Sequence, residues 1–232
     1  ALFLRQRLEK DWPSTVSFFE GDMRNIRLPK KIDILVTELL GSFGDNELSP
    51  ECIYGAKDLL ADDAISIPSQ YCSVLCPITS QFIWTKALHE DKLDMMSVVT
   101  MNPVCFIGEK KNVFIFKHPG EIDFKQDKII EFKCNEKALL HGFSGWFDSL
   151  LFGDVKMSCD PIDGTPDLNS WFPVFIPLRK PVAVEKNQSI KLSIARKNNG
   201  KSVWYEWALV EPEIMAIQNA SGSSYAISLA SQ

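Results

Sequence analysis

From about Pro68 to the end of the chain, short apolar or alternating runs recur between clusters of proline, glycine, asparagine and aspartate. Short runs bounded by such turn residues are typical of antiparallel β-strands. The pattern predicts an antiparallel β-barrel or sandwich for residues 68–232. One stretch, residues 81–96, mixes charged and apolar side chains without proline, and we interpret it as a helical insertion. The predicted strands are residues 71–75, 112–117, 129–133, 145–152, 189–194 and 202–210.

Residues 1–67 have a different pattern, which is typical of alternating α/β structure. Residues 16–19 predict a short strand, and residues 32–36, Ile-Asp-Ile-Leu-Val, have the composition of a buried parallel strand. Residues 1–10 predict a helix that leads into the first strand. Because the segment has too few strands for a complete doubly wound sheet, we expect it to be the C-terminal part of a Rossmann-like sheet from a longer protein.

A helix is predicted after the second of these strands. Ser49 followed by Pro50 is typical of an N-cap and a proline in the first helical position. The apolar residues that follow recur at spacings of three and four, so one face of the helix is predicted to be buried. Asp62-Asp63 is expected to end the helix, and residues 64–68 predict another strand. The apolar face consists of Cys52, Ile53, Ala56, Leu59 and Leu60.

Composition and charge exclude several classes of protein. The chain has no apolar run of membrane-spanning length and no export signal at its N-terminus, so we expect neither a membrane protein nor a secreted one. Six cysteines without a CxxC pair and only three histidines argue against a structural metal site or a disulfide framework. A net charge of −5 argues weakly against direct nucleic-acid binding and is compatible with a basic peptide substrate.

The loop after residues 32–36 contains the residues with the clearest potential for chemistry. Glu38 follows the C-terminal end of a strand, where open α/β sheets bind their ligands. Gly41 and Gly44 allow the loop to reverse, so that Glu47 can return beside Glu38. Two converging carboxylates bind a cation, which could be a metal, a lysine or a guanidinium, and the planar donors of a guanidinium fit them best. The alternative is that both glutamates are ordinary solvated loop charges.

The loop, Asp-Ile-Leu-Val-Thr-Glu-Leu-Leu-Gly-Ser-Phe-Gly-Asp-Asn-Glu-Leu-Ser-Pro at residues 33–50, closely resembles the double-glutamate loop of the protein arginine methyltransferase 5 family. Four further segments resemble other parts of that family in the same order, and together they extend over almost the whole chain. They are Glu-Gly-Asp-Met-Arg at residues 20–24, Leu-His-Gly-Phe-Ser-Gly-Trp-Phe-Asp at residues 140–148, Asn-Ser-Trp-Phe-Pro at residues 169–173 and Val-Trp-Tyr-Glu-Trp-Ala at residues 203–208.

The resemblance implies an S-adenosylmethionine-dependent enzyme that forms mono- and symmetrically dimethylated arginine in histone tails and RNA-processing proteins. It implies that Glu38 and Glu47 are catalytic residues that clamp the target arginine. Asp22 and the backbone of Met23 would contact the adenine of the cofactor. The segment around Trp171 would bind the substrate, with that ring stacked on the guanidinium. The other implied substrate-binding residues are Leu40, Ser170 and Phe172.

The same resemblance implies no metal, a homo-oligomer, a WD-repeat propeller partner, and a location in both cytoplasm and nucleus. The glycine-rich turn that holds the methionine end of the cofactor in the family is not in this chain. Two other classes of function remain open. One is a glycoside hydrolase, which also uses two carboxylates. The other is a β-barrel interaction or dimerisation module without catalytic activity in this truncated form.

Overall fold

A computed structural model of the chain describes residues 6–7, 10–11 and 15–230. The predicted helix at residues 1–10 therefore falls mostly outside the described residues. The predicted strand at residues 16–19 is wrong, because these residues form an irregular exposed segment. A strand requires a hydrogen-bonded neighbour, and no described strand pairs with this segment.

Strands β1 (Ile32–Val36) and β2 (Leu60–Ile67) form a two-stranded parallel sheet. In its register, Ile34 pairs with Ile65 and Val36 pairs with Ile67. The parallel pairing confirms the predicted α/β arrangement, but the expectation that β1 is buried is wrong. Val36 is 70% exposed and Ile34 is 57% exposed, because no described element covers this face of the two-stranded sheet.

Helix α1 (Ser49–Gly55) connects these strands and is shorter than predicted. Leu48, with φ of 65°, occupies the N-cap position that was assigned to Ser49, while Pro50 lies in the first turn as expected. A 3₁₀ turn at Lys57–Leu59 follows, and β2 starts at once. Asp62-Asp63 was expected to end the helix but lies inside β2, because backbone pairing with β1 from Leu60 onward replaces helical bonding.

The largest sheet has seven antiparallel strands, and it includes three of the predicted runs, at residues 71–75, 112–117 and 145–152. The strands are β3 (Gln70–Thr79), β4 (Ser97–Val98), β5 (Cys105–Phe106), β6 (Lys111–Lys117), β8 (Ala138–Phe152), β9 (Val155–Ser158) and β10 (Val174–Val184). Their hydrogen-bonded path runs β4-β10-β8-β3-β5, with β6 also paired to β3 and β9 also paired to β8.

A second antiparallel sheet has four strands in the order β13-β12-β11-β7. It includes the remaining three predicted runs. The pairings leave these as separate sheets within the described residues, so the antiparallel β-class is confirmed, whereas closure into a barrel is not observed. The strands are β7 (Gln126–Lys133), β11 (Ser189–Asn198), β12 (Ser202–Glu211) and β13 (Ile227–Ser228).

The predicted helical insertion is present but shorter than residues 81–96. Helix α2 (Gln81–His89) begins after Ser80, whose Oγ accepts a hydrogen bond from the Ile83 backbone N–H at 3.3 Å. Trp84 anchors the helix to the large sheet by donating its indole N–H to the carbonyl of Leu178 at 2.7 Å.

The main hydrophobic core lies where side chains of the two antiparallel sheets meet. Trp146 and Phe147 of β8 belong to the same buried cluster as Ile194 of β11 and Trp207 of β12. Fully burying a side chain of this kind contributes roughly 1.5–3 kcal/mol. The loop after β1 also enters this core through Leu40 and Phe43, at 4% and 0% exposure, so its conformation depends on the packing of both sheets.

Candidate functional site

The loop after β1 reverses direction at its two glycines, as predicted. Gly41 N–H donates to the Gly44 carbonyl at 3.1 Å, and Gly44 N–H donates back to the Gly41 carbonyl at 2.8 Å. Gly44 has φ of 87°, which favours glycine. A Cβ on Gly41 would lie 2.4 Å from Oδ1 of Asn46, so this position also has no room for a side chain. The reversal brings the second half of the loop back toward Glu38.

Phe43 fixes the tip of this loop inside the protein. Its ring lies 5.8 Å from Tyr205 and 6.3 Å from Phe114, in edge-to-face contact with both. Its backbone N–H donates to the side chain of Asn46 at 2.6 Å. The tip is therefore held by packing, and Glu47 follows it immediately in the chain.

Glu38 and Glu47 are both exposed, and the loop reversal brings Glu47 against Gly41, where an added Cβ would lie 2.9 Å from Cγ of Glu47. Partial desolvation raises the pKa of Glu47, and the negative charge of Glu38 raises it further. Repulsion from a second carboxylate acts in this direction whenever two acidic groups lie near each other. A bound cation would oppose this effect and favour the ionised pair.

A small, mainly apolar cavity of about 230 Å³ lies beside Glu38. Its walls include Leu40 and Trp171, so it brings together three of the predicted site residues. Glu47, Ser170 and Phe172 are not part of this lining, and the last two are exposed. The cavity therefore has one carboxylate and one indole at its surface.

Trp171 holds the loop in place as well as lining the cavity. Its indole N–H donates to the Leu40 carbonyl at 2.6 Å, and its ring makes an edge-to-face contact with Phe147 at 5.7 Å. The side chain is half-buried. Trp171 therefore packs against the loop and the large sheet and also forms part of the cavity wall.

Asp22 and Met23 lie in a tight turn away from that cavity. Arg24 donates from its Nε to both carboxylate oxygens of Asp22, at 2.9 and 3.0 Å. Asp22 lines a separate cleft of about 490 Å³ together with Phe18, Phe19 and Glu20, whereas Met23 does not line it. Asp22 therefore faces a different cavity from Glu38, and Met23 lines neither of the two.

Sequence reasoning missed a buried polar network beneath the loop. Its centre is Arg196 of β11, which is 0% exposed. Arg196 donates through Nε to Oδ2 of Asp45 and through Nη2 to Oε2 of Glu51 at 2.9 Å. Tyr205 donates its hydroxyl to Asp45 at 2.6 Å, and Ser73 donates to the other oxygen of Asp45 at 3.0 Å.

One signal for this network was present in the sequence. Residues 190, 192, 194 and 196 of β11 all point inward, and the first three are apolar. An arginine on the inward side of such a strand requires buried acidic partners. Burial acts to lower the pKa of Arg196, but the charges of Asp45 and Glu51 raise it overall, so the guanidinium stays protonated.

Two other features bear on the class of protein. Within the described residues, no group of three or more histidine, cysteine, aspartate or glutamate side chains is arranged to hold a metal ion. None of the helices in the described part is both long enough and apolar enough to span a bilayer.

Two family models match adjoining parts of the chain. Residues 1–67 match PRMT5 arginine-N-methyltransferase, and residues 70–227 match the PRMT5 oligomerisation domain. Protein arginine N-methyltransferase 5 of Xenopus laevis is 38% identical over 95% of this chain, that of Oryza sativa subsp. indica 40% over 94%, and that of Drosophila melanogaster 37% over 90%. The chain spans only 35–36% of the length of these relatives.

Solved structures with similar folds are more distant in sequence. The Trypanosoma brucei PRMT1 enzyme-prozyme complex with AdoHcy aligns with a TM-score of 0.76 at 15% identity, covering 99% of this chain and 78% of that one. Arabidopsis thaliana protein arginine methyltransferase 10 aligns with a TM-score of 0.71 at 16% identity, covering 92% and 77%. These alignments support the α/β-plus-antiparallel-β fold.

Proposed function

This chain belongs to the protein arginine methyltransferase 5 family, and we propose that the full-length protein transfers methyl groups from S-adenosylmethionine to arginine side chains. The observation that carries the proposal is the glycine-hinged loop, whose reversal brings the Glu47 side chain against Gly41, three residues after Glu38. The cavity beside Glu38, with Trp171 in its wall, supports it. The loop lies within the part of the chain that matches the methyltransferase model.

In this proposal the two glutamates bind and orient the guanidinium of the target arginine. Carboxylates form paired, charge-assisted hydrogen bonds to such a group, and these bonds fix its plane. They also hold its charge on the nitrogens that point away from the reacting one, so the reacting nitrogen keeps more lone-pair character. One of the two carboxylates accepts the released proton. Positioning of this kind is worth on the order of 7–11 kcal/mol in favourable cases.

Trp171 and Leu40 would form the apolar wall of the arginine site. A guanidinium over an indole ring gains a cation–π interaction, in addition to the packing that Trp171 already makes. Ser170 and Phe172 are exposed on either side of Trp171, where they would contact the substrate backbone or neighbouring side chains.

The residues present fit the adenine end of S-adenosylmethionine. The cleft that Asp22 lines has Glu20 as a second acidic residue and apolar walls from Phe18 and Phe19, and the Asp22 carboxylate itself is held in place by Arg24. We propose that Asp22 and the backbone of Met23, the next residue in the chain, contact the adenine. When bound, the cofactor supplies a methyl group on a positively charged sulfur, which is a good leaving group. The glycine-rich turn for its methionine end is not in this chain.

Further features are proposed on the family resemblance. The small Ser42, 7% exposed, is compatible with formation of symmetric dimethylarginine. Substrates would be arginine-rich basic proteins such as histone tails and RNA-processing proteins. The match of residues 70–227 to an oligomerisation domain favours a homo-oligomer, and the family resemblance adds a WD-repeat propeller partner. We also propose a division at residues 67/68 and a cytoplasmic and nuclear location.

The test is methyl transfer from labelled S-adenosylmethionine to a histone-tail peptide by the full-length protein. Glu38→Gln and Glu47→Gln should each lower kcat by at least about a hundredfold, because each removes one charged clamp of the guanidinium. Glu185→Gln, at an exposed glutamate paired with Lys137, is the matched control and should retain wild-type activity. Wild-type rates for Glu47→Gln would refute the proposed clamp, and mass spectrometry of the product would establish its symmetry.

A second candidate function is a non-catalytic oligomerisation module. It is favoured by one observation, namely that the match to the oligomerisation domain covers residues 70–227 of the chain. This function predicts self-association without binding of an arginine–glycine peptide, whether or not S-adenosylmethionine is added. Peptide binding that is lost in Glu47→Gln would favour the methyltransferase instead.

A further inference from the structure

Glu47 is held in position by its neighbours in the chain. Among the described residues, no hydrogen bond or ion pair meeting normal geometry involves its carboxylate, and its side chain is exposed. The residues on either side are different: Asp45, two positions earlier, is 0% exposed, and Glu51, four positions later, is 9% exposed. The place of the Glu47 carboxylate therefore depends on how these two buried residues are anchored.

A single guanidinium anchors both of them. Arg196 donates through Nε to Asp45 and through Nη2 to Glu51, so the segment that carries Glu47 is tethered at both ends to one planar group. The third nitrogen, Nη1, donates to the carbonyl of Phe124 at 2.9 Å, which prevents the guanidinium from turning in its plane. A guanidinium has its donors in a fixed fork, so the spacing between the two tethers is set by its covalent geometry.

The remaining acceptors of the two carboxylates are also occupied. Asp45 accepts from Tyr205 at 2.6 Å and from Ser73 at 3.0 Å, and Glu51 accepts from Asn198 at 3.0 Å. The carboxylates of Asp45 and Glu51 are therefore each held in one orientation. A buried polar network that is fully hydrogen-bonded in this way favours a single arrangement of its members.

The network also crosses between the two parts of the chain that match different family models. Asp45 and Glu51 lie in the part matched by the methyltransferase model, whereas Ser73, Arg196 and Tyr205 lie in the part matched by the oligomerisation-domain model. The antiparallel sheets thus contact the loop of the candidate catalytic glutamates through buried charges.

We propose that Arg196 is a positioning residue for arginine methylation, which fixes the place of Glu47 by holding Asp45 and Glu51, the buried residues on either side of it in the chain. The inference rests on the proposed function of the glutamate pair. It assigns to the antiparallel sheets a direct part in catalytic geometry, through a residue that does not touch the substrate.

The experiment measures steady-state methylation of an arginine-containing peptide by the full-length protein carrying Arg196→Lys. Lysine keeps the positive charge but has a single donor atom on a flexible stem, so it does not fix the spacing between the two carboxylates as the rigid guanidinium does. We expect kcat to fall roughly ten- to a hundredfold, as for a misplaced catalytic group, while KM for S-adenosylmethionine stays unchanged. Arg179→Lys is the matched control, because Arg179 makes a bidentate pair with Asp94 on the surface, and its kcat should equal that of the wild type.

A second variant covers the case in which Arg196→Lys does not fold. Glu51→Gln is nearly isosteric, leaves Arg196 paired with Asp45, and removes one buried negative charge, so the fold should survive. The substitution weakens the bond between Arg196 and residue 51, which anchors the chain on the C-terminal side of Glu47. Its kcat should fall while its unfolding temperature remains above the assay temperature.

A pH–rate profile separates positioning from general destabilisation. Separating Glu47 from Glu38 removes part of the repulsion that raises the pKa of Glu47, so the acidic limb of the profile should move to lower pH in both variants. A purely structural role would lower the rate without moving the limb. Folded variants with wild-type kcat and an unmoved limb would overturn the inference, provided that Glu47→Gln is inactive. Wild-type activity in Glu47→Gln would instead refute the proposed function.

Discussion

Replacing two buried histidines by phenylalanine should have opposite effects on stability, because only one of them has hydrogen-bond partners. His118 is 5% exposed, and neither ring nitrogen has a partner among the described residues. Its ring packs against Tyr71 at 5.4 Å. His141 is 2% exposed, and its Nδ1 accepts from the Ser80 N–H at 3.3 Å, while its Nε2 lies 3.0 Å from Oε1 of Gln81.

At neutral pH, His118→Phe should therefore be neutral or stabilising, since it replaces an unpartnered polar ring with an apolar one of similar shape. His141→Phe should cost about 1–3 kcal/mol, because it leaves the buried Ser80 N–H without an acceptor. Both effects appear in the midpoint of thermal or urea unfolding measured at pH 7.

His118→Phe should also reduce the loss of stability in acid. Burial lowers the pKa of His118 from its usual 6.5 to about 4. In the wild type, the unfolded chain therefore binds a proton below pH 6.5 that the folded protein accepts only near pH 4. Above pH 6.5, His118 is neutral in both states and does not lower the free energy of unfolding. Below pH 6.5 that free energy falls by about 1.4 kcal/mol per pH unit, and the loss reaches roughly 3 kcal/mol near pH 4.

The assay compares unfolding of the wild type and His118→Phe from pH 7 to pH 4. The variant should gain stability relative to the wild type as the pH falls below 6.5, by up to about 3 kcal/mol. A difference between the two proteins that does not change with pH would refute the reasoning.

Three further predictions concern the loop and its supports. Phe43→Ala should lower the free energy of unfolding by about 3–5 kcal/mol, as measured in urea, because it empties a fully buried site between Phe114 and Tyr205. Trp171→Phe should keep the contact with Phe147 but lose the hydrogen bond to Leu40, which costs roughly 1 kcal/mol and should raise KM for an arginine peptide; an unchanged KM would assign the indole to packing alone. Gly44→Ala should cost about 1 kcal/mol or more in thermal unfolding, because φ is 87° and a Cβ would meet the Tyr71 ring at 3.2 Å.

Local patterns predicted much of the fold. Alternation and turn residues identified β3, β6, β7, β8, β11 and β12 at least in part, but missed β10, whose run is interrupted by Pro177 and Pro181. The composition of residues 32–36 identified a parallel strand with correct bounds. The end of α1 was predicted wrongly, because β2 begins at Leu60, which pairs with Ile32 of β1, and strand pairing depends on distant residues. The exposed face of β1 could not be predicted either, since exposure depends on which elements cover the sheet.

The candidate site was predicted where its parts are close in sequence. Gly41, Gly44 and the two glutamates lie within ten residues of one another, and loop reversal follows from local geometry. The Arg196 network was missed because its partners lie about 150 positions away, at sequence separations of 145 and 151. Asp45 has the sequence context of a solvated loop residue, and only the packing of the two sheets makes it fully buried.

The most direct test of the glutamate clamp is the pKa of the Glu47 carboxyl, measured by carbon-detected NMR on the full-length protein with labelled glutamate. Without substrate this pKa should lie above its usual value of 4.5, and Glu38→Gln should bring it down. Addition of an arginine-containing peptide should lower it further, because a guanidinium between the carboxylates favours both ionised forms. A Glu47 pKa that responds neither to Glu38→Gln nor to the peptide would contradict the account.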